Sequence, residues 1–300
     1  MTAPVLADAL GPRGRRQARI ASVIAVVVIA ALVGAAVKRL DDKGQLDERL
    51  WAPFTDPAVL RFLGSGLANT LKVAAVAMAA ALVIGALMAL ARLARTRAVK
   101  AVGTAYVEFF RGVPLYLLII FCAFGLPRSG VDISVFAALV LALSLYNSAI
   151  LGEVFRAGIL SLDRGQSEAA FALGMGYWQA MGLVVIPQAV RRMVPAIVSQ
   201  LVTLLKDTSL GVVVLYEELL RRTQITGEFY DNILPATIVA AAVYIVINYS
   251  LSQVARRLEV RQRRRLGAGT VTVAGAGEDY AVVGAQAEAT VSSTSAEGAT

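Results

Sequence analysis

The chain has 300 residues, 57% of them hydrophobic and only 17% charged, with a formal net charge of +8. Soluble domains average about a quarter charged residues, so a single soluble core is a poor description of this composition. The absence of histidine and the single cysteine, Cys122, remove the commonest general base and metal ligand and any intrachain disulfide, which argues against a hydrolytic or zinc-dependent site.

In chain order, residues 1–19 carry four arginines against one aspartate and read as a cytoplasmic N-terminus. The uncharged run 20–37 follows. Its basic flank resembles a signal peptide, but its length and the charges directly after it (Lys38, Arg39, Asp41, Asp42) predict a retained span. Residues 20–63 are therefore expected to form an extra N-terminal span and an extracellular loop. Further uncharged runs cover 73–91, 112–127, 133–152 and 232–255. All but 112–127 reach the ~18 residues that cross a bilayer core. A sixth span is expected over 184–205, interrupted by Arg191 and Arg192. Gly85 and the Ala79–Ala81 cluster fit a close helix–helix face or lipid-facing filler equally well.

Charge sets the expected orientation. Residues 1–19, the connection 92–100 (Arg92, Arg95, Arg97, Lys100) and the run Arg256–Arg265 are basic, whereas 38–65 and 206–232 are balanced or acidic. Six crossings place the basic segments together, and the positive-inside rule then puts both termini in the cytoplasm. The final arginine run reads as a helix flank attracted to anionic headgroups. It has no aromatic platform, so nucleic acid is not an expected partner. Residues 259–300 read as a disordered cytoplasmic tail.

The connection 161–180, between the fourth and fifth spans, reads as a short helix. Ser167 or Asp163 can cap it, Glu168 suits its positive end, and Ala169 and Ala170 favour helix. Gly174 permits a left-handed turn, and Pro187 fits an early turn or a kink in the next helix. A simple interfacial connector would have the same features.

The spacing Glu168-Ala169-Ala170, Gly174, then Val184-Val185-Ile186-Pro187 resembles the cytoplasmic signature of ABC importer permeases, Glu-Ala-Ala, three residues, Gly, nine residues, Ile-x-Leu-Pro, with apolar replacements in its second half. Arg111-Gly112-Val113-Pro114-Leu115, Gly165-Gln166, Pro187-Gln188-Ala189 and Leu205-Lys206-Asp207-Thr208-Ser209-Leu210 resemble the polar amino-acid branch. The N-terminal section, with Trp51-Ala52-Pro53-Phe54, is similar to actinobacterial glutamate-uptake permeases. The resemblance implies an all-α transmembrane bundle over 64–258 in the bacterial plasma membrane. It implies a coupling helix using Gly165, Gln166, Glu168, Ala169, Ala170, Gly174 and Pro187 to dock on an ATPase dimer. It also implies a second, homologous permease and an extracellular amino-acid-binding protein. The chain lacks Gly-x-x-x-x-Gly-Lys-Ser/Thr, so it is expected to bind no cofactor and have no catalytic residue. ATP and Mg would sit on the partner. A stand-alone secondary transporter or channel, or a membrane scaffold, is the competing reading.

Polar groups inside spans are costly and often functional. Glu153 and Arg156 share a helix face and suit an intrahelical pair, a partner contact or a substrate contact. Lys206 and Asp207 suit a structural turn held by their own pairing, with Thr208 and Ser209 lining a pathway. Glu108 with Arg111 reads as another pair. Tyr146 and Asn147 suit an interhelical bond or a substrate contact.

Overall fold

The computed structural model describes residues 11–267, which are helical with no strand among them. The helix α1 (Pro12–Asp42) carries the first span and contributes nothing to the core: its apolar stretch is wholly exposed. The short α2 (Glu48–Trp51) and a 3-10 turn (Ala52–Thr55) lead to α3 (Pro57–Leu93), whose start is capped by the Asp56 carboxylate accepting from Ala58 N at 2.7 Å. Then come α4 (Arg97–Gly112), α5 (Leu115–Ile120), α6 (Leu126–Arg128) and α7 (Val135–Leu160). The short α8 (Arg164–Ala172) and α9 (Tyr177–Ala180) precede α10 (Ile186–Asp207), α11 (Leu219–Phe229) and α12 (Ile233–Gly267).

Among the described residues, five helical stretches are long and apolar enough to cross a membrane, or six if one bent pair counts as a span. That pair is the correction to the expected span at 112–127. The run forms α5, a π turn (Phe121–Gly125) and α6, and it meets α4 at 100°. Val113 is extended there, because a residue before proline is driven out of the helical region, and Pro114, with ψ 128°, is non-helical too. The helix α12 runs to Gly267 and takes in the start of the segment read as a disordered tail. The rest of that tail and the first ten residues lie outside the described residues.

The core is the seam between α3 and α7, joined by α5 and the end of α10. Val73, Ala77, Ala81, Leu139, Ala142, Leu143 and Leu204 are fully buried in it. Small residues let the two backbones approach. At Gly85 a Cβ would lie 2.9 Å from the Ser148 carbonyl oxygen and 3.0 Å from Leu151 Cβ. Gly85→Leu is therefore expected to lower the stability of the purified protein by about 3 kcal/mol, at the upper end for overpacking. Gly34→Leu, on α1 with nothing within 4 Å, is the matched control and should leave the midpoint unchanged. Thermal denaturation in detergent measures both.

Candidate functional site

The segment 161–192 runs from the end of α7 through α8 and α9 into the start of α10. Asp163 caps α8 by accepting from Gly165 N at 2.9 Å. The helix therefore starts before Glu168, which sits past its first turn, exposed, and not at the positive end. Gly165, Gln166 and Ala169 are exposed as well, while Ala170 turns inward at 3% exposure. The helix stops at Gly174, where φ is +80°. Gly174 N donates to Phe171 O at 2.9 Å and Met175 N to Ala170 O at 3.1 Å. This paired closure satisfies the last carbonyls and requires a left-handed residue. Pro187 opens α10 directly after a second π turn, Met181–Val185. The wider turn accommodates a residue without an N–H.

The same segment displays large apolar side chains. Phe171 (47% exposed), Leu173 (81%) and Trp178 (78%) are open to the surroundings there, Phe171 over a groove it lines with Ile159, Tyr177 and Met181. Single exposed apolar residues need no explanation, but a cluster at one end of a chain marks a surface that something covers. The Arg95 guanidinium lies 5.5 Å from the Tyr177 ring centre and ties the 94–96 turn to α9, an exposed contact of about 0.5–1 kcal/mol.

The other candidates fall into three separate places and do not form one cluster. In mid-α7, Asn147 is fully buried. It accepts from Gln200 Nε2 on α10 at 2.6 Å and donates to Leu143 O at 2.8 Å. Each end of its amide makes one bond, so it joins two helices as an interhelical contact. Tyr146 beside it is half-buried against the core. At the α8 end of α7, Glu153 accepts from Arg156 Nη2 at 2.6 Å and also pairs with Arg92 of α3. Glu108 approaches Arg92 at 3.8 Å and forms no salt bridge with Arg111, contrary to the sequence expectation. Arg92 thus bridges two carboxylates, and the cluster binds α3, α4 and α7 together.

At the opposite end, Lys206 and Asp207 form no direct salt bridge. The helix ends at Asp207 because the chain tightens into a 3-10 turn, Thr208–Val214. Thr208 is buried and donates to Leu205 O at 2.7 Å. Lys206 and Ser209 instead line an open groove of about 580 Å³ against α12, with Tyr244 and Asn248 on its far wall. Its lining is mainly apolar, with one cation among these residues.

Sequence reasoning missed the hub beneath that groove. Glu218 is fully buried. Its carboxylate caps α11 by accepting from Leu220 N at 2.9 Å and Arg221 N at 2.8 Å, and it accepts from Tyr244 Oη at 2.6 Å. Thr70 of α3 accepts from Leu219 N at 3.1 Å. Burial pushes the Glu218 carboxyl above the usual carboxylate range, and its hydrogen bonds only partly offset this. The available signal was weak: Glu217-Glu218 before an apolar pair puts acids near a helix start, but glutamate is not among the residues that usually cap one.

Comparison with known proteins covers most of the bundle. Residues 81–264 match the family described as binding-protein-dependent transport system inner membrane component. The chain is 43% identical over 206 residues, 68% of its length and 94% of the relative's, to the "Probable glutamine ABC transporter permease protein GlnP" of Bacillus subtilis. It is 38% identical over 229 residues, 75% and 84% of the two lengths, to the "Glutamate transport system permease protein GluD" of Corynebacterium glutamicum. Among solved structures, "an amino acid ABC transporter with histidines" superposes with a TM-score of 0.64 at 33% identity, over 68% of this chain and 94% of that one.

Proposed function

Since the chain belongs to the inner membrane component family of binding-protein-dependent transport systems, we propose that it is the membrane-spanning permease subunit of an ATP-driven importer of polar amino acids. The observation that carries the mechanism is the exposed α8 closed by Gly174 and flanked by Phe171, Leu173 and Trp178. Such a surface suits docking on an ATPase, and Gly165, Gln166, Glu168 and Ala169 stand on it. Closure of an ATPase dimer on ATP and Mg would move α8, and the bundle would alternate its access.

The partners follow from that role: two ATPase subunits, a second permease and an extracellular amino-acid-binding protein. Hydrolysis belongs to the ATPase, and this chain holds no cofactor. The basic 92–100 connection lies at the α8 end, tied there by Arg95 and Tyr177. That supports placing α8 and both termini in the cytoplasm. Glutamate is the favoured cargo, on the likeness to the Corynebacterium protein over the larger share of this chain. A glutamate side chain also suits the Lys206 cation.

The test is uptake in proteoliposomes. The chain with its ATPase, partner permease and binding protein should accumulate labelled glutamate only with ATP. Equal uptake by the chain alone, without ATP, would overturn the reading.

A further inference from the structure

One face of α10 holds the start of the α8 segment at two points. Gln188 and Arg192 lie one helical turn apart and therefore on one face. Gln188 Nε2 donates to Gln166 Oε1 in the first turn of α8 at 3.0 Å. Arg192 Nη1 donates to the carbonyl oxygen of Ser161, directly after α7, at 2.7 Å. Beside them Ala189 is fully buried and Met193 is 5% exposed. At Gly158 of α7 a Cβ would meet Met193 Cγ at 2.3 Å, so α10 is seated directly on the end of α7. Further along, Gln200 bonds Asn147. By contrast, the α3–α4 turn meets α9 through an exposed Arg95–Tyr177 contact.

We propose that Gln188 and Arg192 are positioning residues that fasten α8 to the start of α10, so that 158–193 moves as one rigid unit and a push on α8 arrives as a movement of α10. The inference rests on the importer reading. Without the two side-chain bonds α8 would still pack against the π turn Met181–Val185, but its covalent path to α10 runs through the Gly174 turn, Gly176 and that π turn. A chain with such joints absorbs displacement instead of passing it on. With them, the displacement reaches the helix that ends at Lys206–Asp207 and walls the groove with α12. A charge-assisted bond such as that of Arg192 is about twice as strong as a neutral one.

The test uses the assembled complex in proteoliposomes, reading amino acid accumulated per ATP hydrolysed. Gln188→Ala should lower that ratio about fivefold, within the range by which such positions modulate coupling. Gln188→Glu should retain it, because the Gln166 amide can turn to become the donor. In a Cys122→Ala background, Ser161→Cys with Arg192→Cys should lower the ratio likewise. A short bis-methanethiosulfonate cross-linker between the two cysteines should restore it. A ratio unchanged in Gln188→Ala and in the double variant would overturn the proposal, as would cross-linking that blocks uptake. Failure of the importer reading shows separately, as an unmodified complex with no ATP-driven uptake at all.

Discussion

Replacing Gly174 by valine is expected to cut ATP-driven uptake about tenfold or more while the chain still folds and inserts. The reasoning is local. At φ +80° a β-branched residue is a backbone outlier, and holding one there costs about 1–3 kcal/mol. No atom lies within 4 Å of where the Cβ would stand, so there is no clash to disturb the bundle. The cost falls on the closure of α8, through the bonds from Gly174 to Phe171 and from Met175 to Ala170. A tenfold effect corresponds to about 1.4 kcal/mol, so the backbone term alone is sufficient. Gly174→Asn is the informative companion. Asparagine tolerates the left-handed region, so it should keep most of the uptake. Equal loss with asparagine and valine would show that the docked surface, not the turn, requires glycine.

The second large effect is expected at Glu218. Glu218→Ala removes the cap of α11 and leaves Leu220 N, Arg221 N and the Tyr244 hydroxyl without their acceptor. Losing a cap costs about 0.5–2 kcal/mol, and a stranded buried donor about 1–3 kcal/mol more. A total near 3 kcal/mol is expected in detergent denaturation. Glu218→Gln keeps an acceptor and should lose less. Its pH dependence is the sharper measurement. Burial raises the carboxyl in the folded protein above its ordinary value of 4.5, so the folded state holds the proton more tightly than the unfolded one. That contribution is fully present below the unfolded value and is lost as pH rises through the folded value. The wild-type midpoint should therefore fall as pH climbs out of that range, and the glutamine variant should show a flatter profile. An identical slope in both would assign the dependence to another group.

What the sequence made legible is what depends on neighbours along the chain. The spans at 20–37 and 73–91 each sit inside one helix, and those at 133–152 and 232–255 do so after their first one or two residues, because a run of apolar residues determines its own insertion. The turn at Gly174 was legible for the same reason. Pairings between distant segments were not. Glu108 was matched to Arg111, three residues away, whereas its partner Arg92 comes from the preceding helix. The sequence predicts an interhelical bond as one role for Asn147, but only the structure identifies Gln200, on another helix, as the partner. The kink at Val113–Pro114 was written in the proline, but its 100° size depends on what α4 and α5 pack against.

The seam at Gly85 also has a consequence for how the protein is made. The backbone that Gly85 touches, at Ser148, is synthesised about sixty residues later. At roughly 5–20 residues per second, α3 waits several seconds in the bilayer before α7 exists. Throughout that interval its small-residue face is covered by lipid or by the insertion machinery. This close contact of the mature core thus waits for its second half to be made, and the joints that α10, α11 and α12 add come later still, while α1, which leans on nothing, is finished the moment it enters the membrane.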